Sequence, residues 1–320
     1  MIKLTKRALA IAVGAAVMGT LVASPAWAQK KSLVMVSNIS ADFWTIVKRG
    51  TEKAAKELPN YDIRFITPGE STAAEQKRIL DDLLVKGVAG VTISPVNPTQ
   101  ATDILNKVAS KAVLFTSDSD APASNRLLYI GTDNVAAGVQ AGELMKKAMP
   151  NGGKAMLFVG TMDNANARER VEGIRKGIAG SKVEIIDVRT DEIDFAKARR
   201  NAEDTLTKHP DIDMMVGLYS YNPPQIIAAV RAAGKAGKVK IIGFDEDPVT
   251  LKGIKDGIVS GTIVQQPFEF GYQSMIYMAK AIEGDKSFIP PNKLRIIPTR
   301  VIDKSNVAAF EADVKKMLAK

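Results

Sequence analysis

One pattern recurs along this sequence: a short, uninterrupted apolar run followed by a longer stretch of helical periodicity. Leu33–Val36 reads as a first strand, and Asp42 to Leu58 as a helix that opens on a capping residue. Tyr61–Thr67, Val88–Ser94 and Val113–Ser117 read as further strands, separated by a helix from Thr72 to Lys86 and another over Thr99–Ser110. Thr72-Ala73-Ala74-Glu75 fits a capping box, in which the Thr and Glu side chains satisfy free amides, and Gly87 stops that helix. The pattern restarts after Gly131-Thr132-Asp133, with helix 134–149, strand Ala155–Val159, helix 165–179 and strand Val183–Val188. Helix 194–208, strand Met214–Leu218, helix 223–233 and strand Lys240–Phe244 follow. Such alternation implies parallel strands covered by helices on both faces. Strands buried on both faces are apolar throughout, as most of these are. The expected fold class is α/β, with two similar doubly wound parallel-sheet lobes, each large enough to be stable alone.

Composition removes several alternatives. A chain of 320 residues that is 46% hydrophobic and 25% charged is not a disordered one. With no cysteine there is no disulfide scaffold, no thiol catalysis, no Cys-ligated metal and no cysteine to carry a lipid. Residues 1–28 read as a secretory signal: Lys3, Lys6 and Arg7 precede an apolar run from Ala8 to Ala23, and Ala26 and Ala28 give the small-residue spacing of a cleavage site after Ala28. That run is shorter than the roughly 20 residues needed to span a bilayer. The expectation is an exported, soluble protein in a Gram-negative periplasm.

In doubly wound sheets, ligands bind beyond the carboxyl ends of the strands. There the sequence places Ser37, Asn38, Asp42, Phe43 and Trp44, then Ser94, then Ser117 to Asp120. The second half contributes Asp163, Asn164, Arg168, Tyr219, Tyr221, Asn222, Asp245 to Asp247, and Gln265 with Gln266 after Thr262–Val264. This set suits a polyhydroxylated ligand. A carboxylate accepts from neighbouring hydroxyls while Arg and Asn donate, and an aromatic ring covers the C–H face of a sugar. The candidate ligand-binding residues are Asp42, Phe43, Trp44, Asp118, Arg168, Tyr219, Asn222, Asp245 and Gln265. Asp42, Asp245 and Asn222 also suit helix caps. Trp44 is the one tryptophan expected in the mature chain, since Trp27 lies in the signal.

Along residues 31 to 300 these motifs follow an order that resembles the periplasmic sugar-binding proteins of the ribose-binding type. The likeness rests on Val36-Ser37 then Asp42-Phe43-Trp44, Thr116-Ser117-Asp118, Ile130-Gly131-Thr132-Asp133-Asn134 and Ala167-Arg168-Glu169-Arg170-Val171-Glu172-Gly173. His209-Pro210-Asp211, Ile242-Gly243-Phe244-Asp245 and Gln265-Gln266-Pro267 complete it. The resemblance implies that Phe43 and Trp44 stack on sugar, that Asp118 is the first lobe's main hydroxyl acceptor, and that Arg168, Asp245 and Gln265 reach sugar from the second. It implies a three-strand hinge, with crossovers near Asp133, near Gln266 and near Arg295–Pro298. An N-terminal lobe of 29–132 plus 267–296 and a C-terminal lobe of 133–266 plus 297–320 follow. Ser119 stands where the family often has Arg, and Ala41 or Asp42 where it has Asn, so ribose itself is not implied; a hexose, a pentose and a sugar alcohol remain open.

The expected function is capture of a monosaccharide or sugar alcohol between the lobes and its delivery to the membrane subunits of an ABC importer. The alternatives are a binder that signals to a chemoreceptor or senses a furanosyl autoinducer, and a secreted carbohydrate-acting enzyme. Against the enzyme, His209 sits in a helix-to-strand turn, and the sequence has no G-x-S-x-G, P-loop or H-E-x-x-H motif. A sugar-responsive repressor would place a helix-turn-helix where this chain has an export signal. No catalytic residue, no metal and no cofactor are expected, and the protein is expected to be a monomer. Removing Lys3, Lys6 and Arg7 lowers the formal charge from +9 to +6. The remaining lysines fall on helix faces without interleaved aromatics, so no nucleic-acid partner is expected.

Overall fold

Residues 30–318 are described by a computed structural model. The signal segment and its cleavage site lie outside them.

The first sheet is built from β1 (Lys31–Val36), β2 (Tyr61–Ile66), β3 (Gly90–Ile93), β4 (Val113–Ser117), β5 (Leu128–Gly131) and β11 (Leu294–Ile296), in the spatial order β11-β5-β4-β3-β1-β2. The second uses β6 (Gly153–Val159), β7 (Val183–Thr190), β8 (Met214–Gly217), β9 (Lys240–Phe244), β10 (Gly261–Val264) and β12 (Arg300–Ile302), ordered β12-β10-β9-β8-β6-β7. The orders correspond strand for strand. The difference lies at one edge: β11 runs parallel to β5, whereas β12 runs antiparallel to β10.

Helices α1 (Asp42–Glu57), α2 (Ala73–Val85) and α3 (Pro98–Ala109) connect strands of the first sheet. Helices α5 (Ala165–Gly177), α6 (Phe195–Lys208), α7 (Asn222–Ala232) and α8 (Pro248–Lys255) do so in the second, and α10 (Val307–Leu318) packs on α8. Two helices change sides. The chain leaves the first sheet after Gly131 and α4 (Asn134–Ala148) packs on α5; it leaves the second after Val264 and α9 (Pro267–Ile282) packs on α1. A third crossing joins Ile296 to Arg300. Each lobe thus presses its own first helix against a helix delivered by the other. Both contacts are backbone-close. A Cβ on Gly50 would meet Phe268 O at 2.0 Å, and one on Gly173 would meet Val135 O at 2.1 Å. Only glycine permits that approach.

Local signals act as the sequence suggests, with exceptions. Thr72 Oγ1 accepts from the Glu75 amide, but the Glu75 carboxylate binds Arg78 instead of returning to the cap, so half the capping box forms. Ala41, not Asp42, holds the cap position of α1; Asp42 is the first helical residue, where the helix dipole favours an acid. Asp247, not Asp245, caps α8, accepting from the amides of Val249 and Thr250. The polar residues freed by these shifts lie at the carboxyl ends of the strands, where the two lobes face each other.

Candidate functional site

Asp118 and Asp245 stand one residue beyond β4 and β9, and both have left-handed backbone, with φ of 63° and 68°. Asp tolerates this region better than most residues, and the bend turns each carboxyl into the cleft. Asp118 Oδ2 accepts from Ser94 Oγ at 2.8 Å, Asn166 Nδ2 at 3.2 Å and Asn38 Nδ2 at 3.4 Å. Among the described residues no donor reaches its Oδ1, which is left to meet a ligand. Asp245 Oδ1 accepts from Gln265 Nε2 at 2.8 Å, and Gln265 Oε1 accepts from Thr132 Oγ1 at 2.8 Å. Gln265 therefore ties the second lobe's carboxylate to the crossing strand of the first.

Arg170 lies between these acids, fully buried. Its Nε donates to Asn134 Oδ1 at 3.0 Å and Nη1 to Leu218 O at 2.6 Å, while its guanidinium carbon sits 4.5 Å from the centroid of the Phe244 ring. Nη2 has no partner. Burial raises the pKa of Asp118 and Asp245, and the Arg170 charge is the largest influence pulling both back down. An unsatisfied guanidinium nitrogen beside two desolvated carboxylates is expensive unless a polar guest completes the set.

Aromatic residues form the other wall. Phe43 and Trp44 meet edge to face at 5.3 Å, and Trp44 Nε1 donates to Asn38 Oδ1 at 2.9 Å. Across the cleft, the Tyr219 hydroxyl accepts from Asn164 Nδ2 at 2.9 Å and donates to Asn166 Oδ1 at 3.1 Å. The cavity between them holds about 310 Å³ of free space, partly open to solvent, and is lined by eleven residues, five between Asn38 and Asp118 on one wall and six between Asn166 and Gln265 on the other. Asn166 to Asp118, and Asn97 Nδ2 to Asp163 Oδ2 at 3.2 Å, bridge the lobes, so the cleft stands closed.

The structure brings together Phe43, Trp44, Asp118, Tyr219, Asp245 and Gln265. It does not bring in the other three candidates. Arg168 is exposed and its Nη1 donates to Met162 O and Asp163 O. A helix turns about 100° per residue, so Asn166 and Arg170 share the cleft face of α5 and Arg168 points away. Asn222 stands behind the cleft, where its Oδ1 accepts from the Tyr219 amide and its Nδ2 donates to Asp191 Oδ2 at 2.9 Å. Asp42 is exposed and lines a neighbouring cavity. Sequence reasoning missed Asn166 and Arg170 as site residues; their four-residue spacing just after β6 was the signal.

The periplasmic binding protein domain family matches residues 33–286, most of the chain. This protein belongs to that family. Among its relatives, the ribose import binding protein of Salmonella typhimurium is 28% identical over 284 residues, covering 87% of this chain and 93% of that one. An ABC transporter solute-binding protein of Burkholderia graminis, solved in complex with D-arabinose, superposes with a TM-score of 0.82 at 26% identity, covering 87% of this chain and 97% of that chain. The structure described as the XylFII-LytSN complex matches with a TM-score of 0.80 at 30% identity, covering 86% and 98%. The paired α/β lobes are those of periplasmic binding proteins.

Proposed function

We propose that this protein is an exported solute-binding protein that captures a monosaccharide or sugar alcohol between its lobes and delivers it to the membrane subunits of an ABC importer. The observation that carries this reading is the buried trio Asp118, Arg170 and Asp245 lining one cavity with Phe43 and Trp44, Arg170 keeping a guanidinium nitrogen unpartnered among the described residues. The aromatic rings cover an apolar sugar face. Asp118 Oδ1 and Asp245 accept hydroxyl hydrogens, while Arg170 Nη2, Asn38 and Asn166 donate. Ligand docks on one lobe, and the second lobe's bonds form on closure, so ligand shifts the equilibrium toward the closed form. The lobes are read as 29–132 with 267–296 and 133–266 with 297–320. The importer would recognise the closed form through surfaces on both. The protein acts by binding and not by catalysis, as a periplasmic monomer released by cleavage after Ala28.

Support comes from the relatives, which include a ribose import binding protein and a solute-binding protein holding D-arabinose. The XylFII-LytSN complex favours a second reading, in which the sugar-loaded form also engages a signalling partner such as a chemoreceptor. Calorimetry and thermal denaturation against pentoses, hexoses and alditols test the main reading. At least one of them is expected to bind at micromolar concentration, about −8 kcal/mol, and to raise the melting temperature. No binding by any of them ends this reading.

A further inference from the structure

The cleft does not end at its first chamber. A second cavity, with about 560 Å³ of free space, shares Phe43, Ser220 and Asp245 with the first and continues between the starts of α1 and α8 and the last turns of α10. Among the described residues its ionisable lining is acidic: Asp42 from α1, then Asp245, Glu246 and Asp247. Asp42 is exposed, and Asp247 is engaged by the amides of Val249 and Thr250. Glu246 differs from both. It is 7% exposed, yet among the described residues neither of its carboxyl oxygens has a hydrogen-bond partner. Burial, and then the charge of Asp245, pushes its pKa well up. Arg300 lines an adjoining cavity with Glu246 but leaves both oxygens unpartnered. A buried carboxyl with no partner is a costly feature that a bound donor would relieve.

We propose that this second cavity is a subsite for a protonated amine carried by the ligand: the sugar or polyol fills the first chamber, and an aminated substituent passes Phe43 to end on Glu246. The inference rests on the sugar-binding reading above and adds the class of substituent. An ammonium has three donors, enough to satisfy both Glu246 oxygens. Its charge is complementary to the acids around it, and among the described residues no cation lines this cavity to oppose it. Ile46, Val314 and Leu318 offer apolar contact to the carbons that link the amine to the ring.

The test compares matched probes of equal length, the 2-aminoethyl and 2-hydroxyethyl glycosides of D-ribose, D-arabinose, D-glucose and D-galactose, by calorimetry on the mature protein. For the sugar that binds, the aminoethyl glycoside is expected to bind at least tenfold tighter than the hydroxyethyl one. That ratio is expected to fall to about one in both Glu246→Gln and Glu246→Ala. Because the ratio is taken within each variant, a general change in affinity cancels. A wild-type ratio below threefold, or a ratio that survives both substitutions, overturns the inference. If parent sugars bind without preference for the amine, the subsite fails and the sugar-binding reading stands; if no sugar or glycoside binds, both fail.

Discussion

Asp118 and Asp245 occupy the same place in the two lobes and share a left-handed backbone, yet their surroundings differ. Three donors converge on one oxygen of Asp118, two of them from its own lobe. Asp245 has a single side-chain donor, Gln265, from the crossing segment. The first lobe adds aromatic rings, whereas the second adds Arg170 and the amide network of Asn164, Asn166 and Tyr219. One fold repeated twice therefore presents a wall of aromatic rings around one well-held carboxylate opposite a wall of Arg170, Asp245 and hydrogen-bonding side chains. A ligand with one C–H face and several hydroxyls needs both. The difference teaches that the lobes do not contribute alike: the first brings the aromatic rings and a carboxylate held by three donors, and the second brings the positive charge and a carboxylate held by one.

Removing that charge is the strongest way to break the comparison. Arg170→Met leaves Asp118 and Asp245 buried without their counter-charge, and is expected to lower stability by about 3–5 kcal/mol and affinity at least 100-fold. Chemical denaturation and calorimetry measure the two effects; affinity within threefold of wild type would show that the second lobe's charge is not used. Next in size is the contrast between the carboxylates. Asn is tolerated in the left-handed region, so backbone geometry survives either substitution. In Asp118→Asn the remaining oxygen must face the three donors, turning an NH₂ toward the ligand where an acceptor stood. The expected loss is about 1.5–3 kcal/mol of binding energy. Asp245→Asn can rotate against its single donor and is expected to lose less. Equal losses would remove the asymmetry.

The helix pairs offer a third contrast. Gly50→Ala and Gly173→Ala each force a Cβ into a backbone carbonyl at about 2 Å, an overpacking worth about 1–3 kcal/mol. Both are expected to lower the melting temperature by similar amounts. Gly173 lies on α5 three residues after Arg170, so its substitution is also expected to weaken sugar binding, while Gly50→Ala leaves affinity near wild type. If both weaken binding equally, helix packing in the first lobe positions the site as strongly as it does in the second.

Much of this was legible in the residues because buried parallel strands announce themselves as apolar runs, and the strands through Phe244, Leu128–Gly131 excepted, fall within a few residues of their expected places. The short pieces escaped. Leu128–Gly131, Leu294–Ile296 and Arg300–Ile302 are three or four residues long and owe their strand state to the sheet edges they extend, which no local pattern encodes. In the site, residues immediately after a strand were found, since topology alone delivers Asp118 and Asp245. Residues one helical turn further on were not. Arg168 and Arg170 are chemically alike, and only the phase of α5, set by where Ala165 begins it, decides which one is buried. Asn222 was drawn to the cleft by its chemistry, but Asp191, an acid distant in sequence, holds it behind Tyr219.

Asp191 gives the smallest and last contrast. It follows β7 and accepts from the Tyr221 hydroxyl at 2.6 Å and from Asn222, buttressing the aromatic side of the second lobe; the first lobe has Thr67 in the matching place after β2. Burial pushes its pKa up to about 6, against the pull of the Tyr221, Ile193 and Asn222 donors. An unfolded Asp titrates near about 3.9. Between these values the folded protein holds the proton that the unfolded chain has released, so this group's contribution to stability falls as pH rises from 4 to 6 and stays low above that. Below pH 4 both states are protonated and the penalty is absent. The stability of wild type relative to Asp191→Asn is therefore expected to drop by on the order of 1–2 kcal/mol across that window. Any loss of the Tyr221 or Asn222 bond in the variant adds a constant and leaves the slope untouched. A pH-independent difference would mean that Asp191 titrates in the folded protein as it does in the unfolded chain, its donors offsetting its burial, and that the second lobe's buttress carries a charge above pH 4 where the first lobe has the neutral Thr67.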